Sequence, residues 1–144
     1  MFNPNQTDVR NFFFDTFEKN TTHANLTDLE KIALSVILEH PEYENYLSNR
    51  EKYTNYQWCP ESGENNPFLH MSLHVNVIEQ LLINQPHGIV ESYQKLCLKF
   101  GDKHNASHEL MDCIIEIVWQ AQCNNTPPDV NIYFTCINKK LLTT

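Results

Sequence analysis

With only 3 glycines against 7 prolines in 144 residues, the chain has few positions where a tight hairpin could find the positive φ it needs. An all-β fold is disfavoured from the outset. Apolar residues instead recur at helical intervals, between capping residues and prolines. Val9, Phe12, Phe13 and Phe17, with Phe14 broadening the stripe, predict an amphipathic helix from about Thr7 to Lys19. Thr27-Asp28-Leu29-Glu30 matches a capping box and predicts a second helix running to about Glu39. His40-Pro41 ends it, since proline disfavours α geometry in the preceding residue, and Pro41 can open a short helix through Tyr43, Tyr46 and Leu47. The polar stretch from Arg50 to Asn65 has no period and reads as a long loop holding Pro60 and Gly63.

Asn66-Pro67 then supplies a cap and a first-turn proline for a helix to about Ile83, which Gln85-Pro86 stops. A helix through Ile89, Tyr93, Leu96, Cys97 and Phe100 ends at Gly101. Asp102 caps a long helix to about Gln122, and Asp129 caps a last one through Tyr133, Phe134, Ile137 and Leu141. The expected fold is all-α, a compact bundle of about six to seven helices. At 144 residues, 41% hydrophobic and 19% charged, with no repeat or linker, it is expected to form a single domain.

Two His-x-x-x-His motifs, His70/His74 and His104/His108, lie on different predicted helices. Residues four apart share a helix face, so each pair can offer two imidazoles to one ion. A helical projection puts His70 and His74 in the apolar arc with Val77, Ile78 and Leu81, while Glu79 points elsewhere and is not counted as a ligand. His104, His108, Asp112 and Glu116 form a row that starts beside Met111 and Ile115 and drifts toward the polar face; Asp112 is the better placed carboxylate, as ligand or as imidazole orienter. Two such helices face to face could present four imidazoles and one carboxylate, as helical bundles do when they build metal sites. The donor set His70, His74, His104, His108 and Asp112 suits Zn²⁺, Fe²⁺ or another imidazole-preferring ion, and the paired Glu-x-x-His pattern of di-iron bundles is missing. His40 could approach the histidine helices and complete a site, but the simpler reading, a helix C-terminal histidine interacting with the dipole, is favoured.

The formal charge of −8, with dispersed basic residues, argues against nucleic acid and anionic membrane surfaces as partners. Lys139-Lys140 can simply complement a helix dipole. Five cysteines without a C-x-x-C pair are expected to be reduced. Cys113 could be imagined as a nucleophile beside His108, but it lies about 140° away around the helix and reads as a buried structural thiol. No secretory signal and no run of roughly 20 apolar residues is evident, so the cytoplasm is the default compartment. Phosphate loops, nucleophile elbows and H-E-x-x-H motifs are missing, and no reaction is named.

The segment NPFLHMSLH, Asn66 to His74, with Glu79-Gln80 after it, resembles an uncharacterised bacterial family, domain of unknown function number eighteen forty-one. His40-Pro41-Glu42-Tyr43, the run from His104 to His108, Cys113, Glu116, Trp119 to Gln122 and Pro127-Pro128-Asp129 are similar to it too, so the likeness covers nearly the whole chain. It implies neither a reaction nor a catalytic residue, and it implies a glutamate where Asp112 stands. Two readings follow from the residues. In one, the histidines hold one or two transition-metal ions. In the other, they make structural hydrogen bonds or a pH-sensitive contact in a non-catalytic interaction or homo-oligomeric module, a homodimer in the simplest case.

Overall fold

The computed structural model describes residues 6–59 and 65–143, and every regular element among them is helical. The chain divides into two compact units, one up to Asn76 and one from Val77.

In the first unit, α1 (Gln6–Thr21) packs on α2 (Asp28–Leu38). The Thr27 hydroxyl accepts from the Glu30 N–H while the Glu30 carboxylate accepts from the Thr27 N–H, so the capping box forms as read. Lys19 ties the two helices together through Glu30, at 2.8 Å. That ion pair and the Thr27 amide hold the Glu30 carboxyl below its ordinary value. The buried face of α1 is not the stripe that periodicity suggests. Phe13 and Phe14 are buried, but Phe12 and Phe17 are only half-buried, and Arg10 takes a core position. Its guanidinium donates to the carbonyls of Tyr53, Thr54 and Tyr56 and lies 4.8 Å from the Trp58 ring centre. A buried cation is tolerated because these acceptors satisfy it.

Pro41–Tyr43 forms a 3₁₀ turn that leads into α3 (Glu44–Leu47). Where the sequence reads as loop, α4 (Arg50–Tyr53) makes one helical turn. Tertiary ties explain the difference. Tyr53 is buried, Arg10 draws on the carbonyls that end this turn, and Arg50 reaches Asp15 and Glu18 of α1. Pro60 and Gly63 lie outside the described residues. Asn66 caps α5 (Pro67–Ile83) through its side-chain oxygen, which accepts from the Phe68 and Leu69 N–H groups. α5 contributes Pro67 to Asn76 to the first unit, where Phe68 meets Phe13 and Phe14 and Met71 and Val75 are buried.

The second unit holds the rest of α5, then α6 (Ile89–Phe100), α7 (Lys103–Asn124) and α8 (Val130–Leu142), with α6, α7 and α8 packed on one another. Gly101 is left-handed at φ 88° where α6 ends, which a glycine accepts without steric cost. Asp102 and Asp129 cap α7 and α8 as expected. Tyr133 of α8 donates to Gln80 of α5 at 2.8 Å, and burial pushes its phenol pKa up.

Cys113 of α7 and Cys136 of α8 are joined as a disulfide, with Cα atoms 5.8 Å apart. This corrects the expectation of reduced cysteines for that pair. The turn after α7 brings α8 back against it, and the register between the two helices, which sequence spacing does not encode, aligns the sulfurs. Cys97 and Cys123 remain thiols. Lys140 does more than complement a dipole. It pairs with Glu109 and lies 3.5 Å from Asp112; burial pulls its ammonium down, but the two carboxylates hold it above its ordinary value. Among the described residues, no helix is long and apolar enough to cross a membrane.

Candidate metal centre

Three histidines of the first unit converge. His40 follows the last turn of α2, where Pro41 forbids another. Its Nδ1 lies 2.8 Å from the Val36 carbonyl oxygen. A carbonyl can only accept, so Nδ1 carries a proton, and in the neutral ring the lone pair is on Nε2. This is the arrangement in which a metal-binding imidazole is held, its other nitrogen anchored to a fixed acceptor. His70 and His74, one turn apart on α5, direct their Nε2 atoms toward each other at 3.1 Å.

The three rings are mutually close, with centres 5.1 Å apart for His40 and His70, 4.8 Å for His40 and His74, and 4.7 Å for His70 and His74. One nitrogen from each lies within 4.8 Å of those of the others. Nitrogens about 2.0–2.1 Å from a tetrahedral Zn²⁺ stand about 3.3 Å apart. The His70/His74 spacing already matches that edge, and small side-chain rotations would bring His40 into the same shell. His40 and His74 are buried and His70 is half-buried, which limits competition from water. The donors are neutral nitrogens, a set that suits Zn²⁺, Fe²⁺, Cu²⁺ or Ni²⁺ and disfavours hard Mg²⁺ or Ca²⁺.

Tyr43, two residues beyond Pro41, lies parallel to the His40 ring at 5.2 Å and edge-on to His70 at 6.2 Å. Burial, with Glu42 and Tyr46 adding to it, pushes its phenol pKa up and keeps the hydroxyl protonated.

Of the residues singled out from sequence, His70 and His74 are together in this cluster. His104 and His108 are together on α7 in the second unit, ring centres 4.2 Å apart, with His104 exposed and His108 half-buried. Asp112 is exposed and engages Lys140. Among the described residues, no group of three or more donors close enough for one ion includes His104, Asp112 or Glu79. His40 is the donor that sequence reading set aside. Its helix-terminal role is real, since the ring bonds the carbonyl of Val36, and the ring so held has its centre 5.1 and 4.8 Å from those of the α5 pair. The signal lay in His40-Pro41, which fixes where α2 must stop.

No curated protein and no solved structure matches the chain at a significant level. The family model described as Domain of unknown function (DUF1841) matches residues 5–139. The match spans nearly the whole sequence, including the three clustered histidines and the second pair, and the chain belongs to the DUF1841 family.

Proposed function

We propose that the protein binds a transition-metal ion through Nε2 of His40, His70 and His74. The observation that carries this reading is the convergence of three imidazoles, one with its tautomer set by the Val36 carbonyl. Three neutral donors leave coordination positions for water or a small ligand, the condition under which a bound ion can act as a Lewis acid or activate water. His104 and His108, with Asp112, are proposed as further donors from their i, i+4, i+8 spacing on α7; Asp112 would have to leave Lys140 to join them.

Elemental analysis of full-length protein purified without an affinity tag, before and after reconstitution with Zn²⁺ or Fe²⁺, tests the reading. The expected result is stoichiometric metal in the wild type. His40→Gln, His70→Gln and His74→Gln should each weaken binding by more than the roughly 10–100-fold typical of losing an outer partner. Metal content equal to that of wild type in all three variants, or none in the wild type after reconstitution, rules the site out. His104→Gln and His108→Gln measure whether the second pair contributes, and the stoichiometry separates one ion from two.

A further inference from the structure

Beside the histidine cluster stands a row of tyrosines. From Tyr43 the ring centres run to Tyr46 at 6.1 Å, to Tyr53 at 4.9 Å and to Tyr56 at 5.4 Å. Only Tyr53 is buried; Tyr43, Tyr46 and Tyr56 are half-buried, so the row begins beside His40 and ends at a partly exposed ring. We propose that Tyr43, Tyr46, Tyr53 and Tyr56 form a relay that carries single electrons from the surface to a redox-active ion at His40, His70 and His74. The relay rests on the metal-binding reading above, and it selects iron over zinc, because Zn²⁺ has no accessible redox step.

Electron transfer weakens exponentially with distance, so short steps between neighbouring rings outrun one long jump. Each step moves one electron. Tyr43 gives an electron to the oxidised ion, its O–H bond breaks and the proton passes to water, leaving a neutral phenoxyl radical. Tyr46 then returns an electron to Tyr43 and loses its own proton, Tyr43 recovers one, and the vacancy moves through Tyr53 to Tyr56. There an external thiol supplies the electron and a proton and leaves as a thiyl radical, and two thiyl radicals couple to a disulfide. The terminal oxidant is a hydroperoxide, which takes two electrons and two protons to give an alcohol and water. The sum is one hydroperoxide and two thiols giving an alcohol, water and a disulfide.

Trp58 touches the same row, 4.7 Å from Tyr56 and 5.9 Å from Tyr53, but it is not a carrier. The Arg10 guanidinium at 4.8 Å from its ring centre opposes formation of a tryptophan radical cation, whereas a tyrosine that sheds its proton stays neutral. That difference gives the test its internal control.

The experiment uses full-length protein reconstituted with Fe²⁺, mixed with hydrogen peroxide, freeze-quenched and read by electron paramagnetic resonance, with ring-deuterated tyrosine to assign the radical. Wild type should give a tyrosyl signal that glutathione removes. Tyr43→Phe should lose it while still holding iron. Tyr46→Phe keeps the ring and its packing, so the radical should form on Tyr43 but decay with glutathione more slowly than in wild type. Trp58→Phe should behave as wild type. Iron bound without a tyrosyl radical, an unchanged signal in Tyr43→Phe, or unchanged decay in Tyr46→Phe overturns the relay and leaves metal binding standing. Failure to bind iron at all overturns both. A signal that persists when His70→Gln has removed the iron assigns the radical to free iron in solution, and also overturns the relay.

Discussion

At the scale of single residues, His40 and Arg10 carry the most information, and each departs from its usual place. Arg10 is a cation inside the first unit, satisfied by three carbonyls and an indole face. Arg10→Met should cost on the order of 2–3 kcal/mol in urea unfolding, because those buried acceptors lose a charged donor. Thr27→Ala should cost about 1 kcal/mol by removing half of the capping box. The Glu30 carboxyl is depressed in the folded state, so its contribution is complete above the ordinary carboxyl value and disappears as pH falls through the lower folded one. Unfolding measured across the acid range should show that loss in wild type and a smaller one in Glu30→Gln. The capping box was legible because it is a local pattern. Arg10 was not, since nothing near it in sequence announces that Tyr53, Thr54 and Tyr56 will turn their carbonyls toward it.

At the scale of elements, helix starts and stops were legible almost throughout. Asn66, Asp102 and Asp129 cap where the sequence places them, and Gly101 closes α6. Such signals work because a cap is satisfied within three or four residues. What sequence did not yield depends on how one helix registers against another. The α7–α8 disulfide is the plainest case, as its cysteines lie 23 residues apart with no motif between them. Replacing Cys113 and Cys136 by serine should lower stability by about 3 kcal/mol in oxidising buffer, on the loop-closure account. Thiol reductant should destabilise wild type and leave the double variant unchanged, which denaturation with and without dithiothreitol will read. Two of the three histidines of the candidate site were legible for the same reason as the caps: His70 and His74 are neighbours by helical geometry alone. His40 joins them only because α2 ends beside α5's first turns, a tertiary fact.

At the scale of the whole molecule, the division at Asn76/Val77 falls inside α5, so no shift of composition marks it. All three histidines of the candidate centre belong to the first unit. Hydrogen exchange with and without bound metal should therefore gain protection mainly in α2, the 3₁₀ turn and the first half of α5. Equal gains across α6 to α8 would contradict that localisation. The chain's two tryptophans also divide between the units. Trp58 is half-buried against Arg10, Phe68 and tyrosine rings in the first, and Trp119 stands 60% exposed on α7 in the second. Their light emission should differ accordingly, blue-shifted and shielded from iodide for Trp58, red-shifted and readily quenched for Trp119. With Trp119→Phe, the remaining fluorescence becomes an intrinsic gauge of the first unit, able to follow its melting, and its response to an added ion, without any attached label.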